Sequence, residues 1–551
     1  MKKITYIIAV FAFAVGLTSC GKDFLNRDNI SQMEEATYYS TPEQMSQAIS
    51  AVYSELQSGK GIWSAELVAD LLSEECFAGG SSGDVPAQNM DDFNVNHVPD
   101  LYDDLWGNTY KGIFRANKMI ANIDKPTWES DAQKNQLYGE ALFMRAFFNF
   151  RLGKFWGQAP LILDPDANPN QPKATGDQIF AQVASDLKKA IEIMPSEQYN
   201  SVESGHATKW AAEALMARAF LFYTGYYNKT SMPLAEGGEV SKSNVQNWLV
   251  DLIDNSGHAL ASDFRNIWSY AHNPDYPWAV ANNLSWIGDG PENTETIFAI
   301  KHSPYAENNV GTTKKYSNQY QLFIGVRGNP SDNQFGKGWG MATVNPQLWD
   351  SYDGSDLRKQ GTILDATDKA NEAPFADKYV FGRNNSLQET GYYNKKYLPT
   401  SEKNEKGKWK GMYYLLFGGQ DNFQLWNMAD QILIRYADVL LMAAELDCPN
   451  AQQYLDEVRN RAGLSPVSIS LDVIKEERRH ELALEGLRYH DLMRWHDLET
   501  EFAKVKNVPI YNHGKPAEYN QIYRSETEGF LPIPKNEIAL SGGVLTQNPG
   551  W

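Results

Sequence analysis

The chain has 551 residues, and 50 basic against 69 acidic side chains give a net charge of −19. That balance disfavours nucleic acid, whose phosphates must be neutralised by Lys and Arg, and disfavours adhesion to anionic lipid. Hydrophobic content of 42% with 22% charged residues describes an ordinary globular body, larger than a single hydrophobic core usually serves. Three cysteines exclude a disulfide framework.

In chain order, Lys2 and Lys3 precede an apolar run, 4–17, that falls short of the ~20 residues a spanning helix needs. Basic start, short apolar run and small residues read as an export signal over 1–19, set aside from the fold. Leu17-Thr18-Ser19-Cys20 resembles a lipobox, the recognition sequence of bacterial lipoproteins. That resemblance implies cleavage before Cys20 and a thioether from its sulfur to diacylglycerol. At ~0.8 kcal/mol for each buried methylene, several acyl chains would make a durable anchor. Cys76 and Cys448 have no CxxC or Cys/His spacing, so neither zinc nor any other metal or cofactor is expected. They read as buried free thiols.

The segment 20–224 is helical in pattern. Ala141, Met144, Phe148, Leu152 and Phe155 recur at steps of three and four, placing them on one helix face. Ile179, Val183, Leu187, Ala190 and Met194 repeat the pattern up to Pro195, and Trp210, Ala214, Ala217 and Leu221 repeat it up to Gly225. A short turn is expected between the last two helices, and the alanine-rich partner allows close helix contact. Such helical hairpins resemble tetratricopeptide (TPR) units without a strict repeat. Over 225–428, Gly, Pro, Asn and aromatic residues crowd together, which predicts loops, turns and short strands. This part holds eight of the fifteen tryptophans, so it offers most of the stacking surface.

The helical pattern returns over 429–551. In "ADQILIRYADVLLMAAE", Ile432, Tyr436, Val439, Leu440 and Ala443 line one face. Asn450 is expected to cap the helix "AQQYLDEVRNRAG", which Gly463 ends. A third helix, "LDVIKEERRHELALEGLRYHDLMRW", is predicted to start after Ser470. Prolines hold the tail "LPIPKNEIALSGGVLTQNPGW" in extended and turn conformations.

The lipobox, the following "DFL", "GEALFMRAFFNFRLGKFWGQAPLIL", "ATKWAAEALMARAFLF", "RYADVLLMAAE", "VRNRAGL", "ERRHELALEGLRYHDLMRW" and the ending "LPIP…QNPGW" occur in that order. Together they resemble the SusD/RagB family of Bacteroidetes surface lipoproteins. The resemblance implies a mainly α fold: a TPR-like helical-hairpin scaffold with a loop-rich, irregular ligand-binding half over 225–428. It also implies a place on the cell surface and a partner, a SusC-like TonB-dependent transporter of the outer membrane to which captured oligosaccharide is delivered.

Catalytic motifs do not complete. "RRHELALE" resembles HExxH, but position 484 is Leu where the second histidine would stand. Its charges, Arg478, Glu481, Glu485 and Arg488, are spaced to pair along one helix face. "GKGWG" at 336–340 lacks the Lys-Ser/Thr of a phosphate loop and reads as a flexible loop presenting Trp339. Glu74-Glu75, Asp91-Asp92 and Asp103-Asp104 are adjacent acids, expected to be solvated rather than a glycosidase dyad.

Aromatic side chains are the stronger clue, because a sugar ring stacks its C–H face on Trp or Tyr while its hydroxyls seek Asn, Asp and Arg. By the family resemblance, Trp339 aligns with a stacking tryptophan, and Tyr316 and Tyr320 lie where the family places a stacking tyrosine. Trp286 is a further candidate. Asp84 and Asn89 occupy a loop equivalent in order to another family ligand loop, although that loop's aromatics are not evident here. The expected function is glycan capture without catalysis. Peptide capture, as in the RagB branch, is the alternative, and a surface glycoside hydrolase is a third possibility.

Overall fold

The computed structural model describes residues 38–57, 64–95, 100–290, 292–305, 307–309, 312–314, 316–330 and 332–551. The expected signal and Cys20 lie outside the described residues. Helices α1 (Pro42–Tyr53), α2 (Ala65–Leu71) and α3 (Val85–Asp91), with strand β1 (Cys76–Gly79) between the last two, lead into α4 (Asp100–Ala121).

The scaffold centres on α5 (Asp131–Trp156), which starts where the Ser130 hydroxyl accepts the Gln133 N–H (3.2 Å). Only a stripe was predicted to be apolar, yet Leu137 and every residue from Gly139 to Trp156 except Lys154 are buried. A helix buried on all sides lies inside the scaffold rather than on its surface. Next comes α6 (Gly176–Ile193), opened by a capping box between Thr175 and Gln178. Early α5 meets late α6 and late α5 meets early α6, so the two run antiparallel. A Cβ on Gly139 would come within 2.1 Å of Met194, and one on Gly153 within 2.8 Å of Phe180. In α7 (Lys209–Tyr226), Ala211, Ala212, Ala214, Ala217 and Ala219 are buried, so small side chains let neighbouring backbones approach. The connection between α6 and α7 is longer than the expected short turn, running over 194–208 with a 3-10 turn at Tyr199–Ser201. Helix α8 (Lys242–Asn255) packs on α7 and completes the TPR-like stack.

Beyond α8 the described chain forms short helices, turns and two-stranded sheets, as its Gly, Pro and Asn content predicts. Two pairings tie this part to the scaffold. Strand β3 (Met341–Val344) runs antiparallel to β1, with Cys76 opposite Val344 and Gly79 opposite Met341. Strand β4 (Gln431–Arg435) pairs with β2 (Thr296–Ile300). The short helix α9 (Gln319–Ile324) lies between β2 and β3.

Ile432 was expected on a helix and instead lies in β4; α10 begins only at Tyr436 and ends at Glu445. All five residues of β4 are buried, and so short an apolar run carries no period that separates strand from helix. Helix α11 (Ala451–Arg461) starts after Asn450, which takes a left-handed conformation (φ 70°) and caps through no side-chain hydrogen bond, contrary to expectation. Gly463 (φ 80°) ends it as predicted. The long third helix is two. Helix α12 (Leu471–Glu481) starts at Ser470, stops, and α13 (Arg488–Trp495) follows a turn with Leu484 at φ 63° and Gly486 at φ 73°. Gly486 donates its N–H to Asp70 (2.9 Å), and a Cβ there would approach Glu66 Cα to 2.6 Å. Only glycine fits both constraints.

This break redirects the charges that one continuous helix would have paired. Arg478 binds Asp438 (2.7 Å) and Asp491 (2.9 Å), while Arg488 binds Glu74 (2.7 Å). Glu481 is held by Arg358 (3.0 Å), Arg435 (2.5 Å) and Arg461, and Glu485 by Lys396 (2.6 Å) and Arg435 (2.9 Å). The ion pairs exist, but their partners lie on other elements. Cys76 and Cys448 are buried free thiols, as expected. Within the tail, Asn548 donates to the Trp156 (2.9 Å) and Leu531 (2.8 Å) carbonyls, and Trp156 donates to that of Pro532 (3.0 Å). The chain end therefore closes over the last turn of α5.

Candidate ligand-binding site

Trp339 sits where three backbone segments meet. Its N–H donates to the Leu322 carbonyl (2.9 Å) on α9, and the Gly340 N–H donates to Gly325 (2.7 Å) just past that helix. The Gly340 carbonyl in turn accepts the Gly80 N–H (2.7 Å) beside β1. A Cβ on Gly338 would lie 2.3 Å from Gly325 Cα, and Gly340 has φ 71°. These glycines therefore serve close backbone approach, which corrects the expectation of a flexible loop. The indole is half-buried and packs on the main core. Its ring lies 6.1 Å from that of Phe423, and the Arg327 guanidinium sits 5.9 Å from its centroid.

Arg327 ties this group together. It donates to the Asn384 (3.0 Å) and Trp339 (3.2 Å) carbonyls and lies 3.6 Å from the Asp84 carboxylate. Asp84 also accepts the Ser81 N–H and hydroxyl, both at 2.8 Å, which fixes the glycine-serine loop. Lys337 lies 5.9 Å from the Phe423 ring. Tyr316 is 38% exposed and opens a stretch laced to the one that follows Phe423. There the Asn318 N–H donates to the Asn427 carbonyl (2.6 Å), and Gln319 donates to that of Gln424 (3.4 Å). An aromatic rim flanked by a guanidinium, an ammonium and a carboxylate can stack an apolar ring face and hydrogen-bond its polar edge.

Three other expected residues lie outside this group. Tyr320 is 2% exposed. Its hydroxyl lies 2.7 Å from Asp70 and accepts from Asn394 (2.9 Å), so it is a core residue and offers no stacking face. Burial pushes the Asp70 carboxyl up to about 7. Trp286 covers a separate small core of Met412, Tyr413, Met428 and Ala429, edge-on to Tyr413 at 5.7 Å. Asn89 lies on α3, half-buried, and no contact among the described residues joins it to Trp339. Conversely, Arg327, Phe423 and Lys337 were not anticipated. Lys337 stands in the "GKGWG" run and Phe423 among polar residues in "QDNFQLW", whereas nothing local marks Arg327.

Two of the three adjacent acid pairs, Glu74-Glu75 and Asp91-Asp92, are committed elsewhere. Glu74 and Glu75 are buried rather than solvated, and both face Arg479 and Arg488. Burial would raise the Glu74 carboxyl, but Arg488 and Arg479 hold it below its ordinary range; burial and Glu74 push Glu75 up to about 7. Asp91 is also buried and accepts from Tyr519 (2.7 Å) and Gln521 (2.6 Å). His480 stacks on Tyr352 at 4.4 Å, and burial with the surrounding arginines pushes it down to about 3.

Two family models match the chain: the SusD family over residues 294–551, and "starch-binding associating with outer membrane" over residues 23–221. A SusD-like protein of Bacteroides ovatus is 24% identical over 90% of this chain and 83% of its own length. SusD-like protein P2 of Formosa agariphila is 22% identical over 100% of this chain and 99% of its own. Among solved structures, surface glycan-binding protein A from Bacteroides thetaiotaomicron superposes with a TM-score of 0.71 at 23% identity, covering 93% of this chain and 100% of that one. The same protein has been solved in complex with laminarihexaose. With the motifs in family order and the mainly α, TPR-like fold, the chain belongs to the SusD/RagB family.

Proposed function

We propose that this chain is a non-enzymatic, surface-exposed glycan-binding lipoprotein that hands oligosaccharide to a SusC-like TonB-dependent transporter. In this reading residues 1–19 are a signal, 20–551 form one SusD-like domain, and the ligand-binding part spans 225–428. Cys20 carries the lipid; among the described residues no helix is long and apolar enough to cross a membrane. The observation that carries the reading is the aromatic rim of Trp339 and Phe423, with Arg327 and Asp84 beside it. Trp339 is held by its own backbone hydrogen bonds, so a sugar stacking on it orders little that is not already ordered. The relatives' names, surface glycan-binding protein A and SusD-like protein, point the same way. The burial and pairing of Glu74, Glu75 and Asp91 count against a hydrolase.

Calorimetry on the lipid-free chain, with laminarihexaose first and then glycan and peptide panels, tests this. Saturable heat with an oligosaccharide and none with peptides is expected, with the oligosaccharide recovered intact. Binding confined to peptides, or cleaved sugar, overturns the reading. Cys20→Ala should move the protein from the membrane fraction to the soluble one, and unchanged fractionation removes the lipid anchor from it.

A further inference from the structure

The helical scaffold encloses hydrogen-bond donors that lack acceptors. Arg151 and Lys154 lie one turn apart on α5, and Arg218 of α7 and His490 of α13 approach the same interior. Two adjoining cavities of about 20 Å³ each lie among them. Arg151, Lys154, Arg218 and Glu66 line one; Lys154, Arg218 and His490 line the other.

Each of the four side chains is short of a partner. Arg151 is 4% exposed and has no hydrogen-bond or ion-pair partner among the described residues. Its guanidinium rests 5.2 Å from the Phe147 centroid and 5.6 Å from that of Phe148. Lys154 rests over Phe150 and Phe155 at 5.6 and 5.1 Å, likewise without a carboxylate. Arg218 binds the Leu433 carbonyl (2.9 Å) and Asp438 (2.6 Å), but its Nε–H is buried without an acceptor. His490 is buried with neither ring nitrogen partnered, and a neutral imidazole still carries one N–H.

Most nearby carboxylates are already engaged. Asp438 is shared by Arg218 and Arg478, Asp491 by Arg478 and Arg494, and Glu485 by Arg435 and Lys396. Glu66 lines the same cavity, accepts from Gln431 (3.3 Å) and makes no ion pair among the described residues, yet its charge favours the protonated forms of Arg151 and Lys154. The aromatic faces answer part of the charge but supply no acceptor for the guanidinium edge. A lysine can shed its proton, and desolvation of the half-buried Lys154 pushes it down to about 7. Arginine has no such escape, so a buried guanidinium requires a counter-charge, and Glu66 offers one charge for the two cations Arg151 and Lys154.

We infer that the cavity lined by Arg151, Lys154 and Arg218 holds a small monovalent inorganic anion of the halide class, chloride or bromide, bound by those three side chains. The space decides the class. About 20 Å³ suffices for one water, and a halide is only slightly larger, whereas phosphate, sulfate or a carboxylate ligand has too many heavy atoms. The anion supplies the acceptor these three groups lack and joins α5 and α7 through one charge.

Crystals of the mature chain soaked in sodium bromide provide the direct test. An anomalous peak between the Arg151 guanidinium and the Lys154 ammonium is expected. In solution, the melting temperature should rise logarithmically with sodium bromide or chloride over sodium gluconate at equal ionic strength, as for any ligand of the folded state. Arg151→Met and Lys154→Met should each abolish that dependence. If Arg151→Met does not fold, the partly exposed Lys154 carries the test. Bromide at surface sites alone with water in the Arg151–Lys154 cavity, or an undiminished halide response in folded Lys154→Met, overturns the inference.

Discussion

Glu481 is fully buried and receives Arg358, Arg435 and Arg461, whereas Trp339 is half-buried with one guanidinium beside its ring and a carboxylate behind that. Both regions use arginine, acid and aromatic side chains. Around Glu481 every carboxylate oxygen is matched to a cation from another element, so those charges fasten helices and strands and have no capacity left for a ligand. Around Trp339 the backbone is locked by glycine contacts while the aromatic rim keeps open surface. Capacity to bind lies where rigid positioning coexists with incomplete pairing.

The largest effect expected from breaking this contrast is on the first region. Glu481→Ala leaves three buried guanidiniums without their shared acceptor and should cost ~3–5 kcal/mol, read by urea unfolding. Glycan affinity should be normal in whatever fraction stays folded; a variant of normal stability that has lost ligand binding would reverse the assignment of roles.

Acid should act in the same place. Burial alone would raise Glu481 and Asp438, but arginines hold both far below the ordinary carboxylate range, Arg461, Arg435 and Arg358 for the first and Arg218 and Arg478 for the second. A carboxyl whose folded value is depressed contributes stability above its unfolded value of ~4, and that contribution is lost as pH falls through the folded value. Melting temperature should therefore decline progressively below about pH 4. A flat profile there would contradict the pairing.

Tyr320→Phe separates core from site. It removes a buried hydroxyl from Asp70 and Asn394 and should cost ~1–3 kcal/mol of stability, leaving oligosaccharide affinity unchanged in calorimetry. Weakened binding at unchanged stability would return Tyr320 to the site. Trp339→Ala should show the converse pattern, raising the dissociation constant about tenfold. Because its ring packs on the core, a loss of ~1–2 kcal/mol in stability accompanies it, more than a freely projecting loop residue would give. Unchanged affinity in Trp339→Ala removes it from the rim.

The sequence by itself determined what is local. Helix stripes, the Thr175–Gln178 capping box, the start at Ser470 and the stop at Gly463 follow from spacing and from side chains that satisfy backbone groups within a turn. Family order was legible for the same reason, since its motifs are contiguous. Only the tertiary structure decided which charges pair, because Arg488 meets Glu74, Arg478 meets Asp438 and Tyr320 meets Asp70 across hundreds of residues or between separate elements. It also decided that Ile432 lies in a strand, since β2 supplies that strand's partner, and that the helix after Ser470 breaks, since Asp70 and Glu66 constrain Gly486. Arg327 joins the rim for a like reason: its position is set by Asn384, Trp339 and Asp84, and contact between distant segments leaves no period or spacing in the chain.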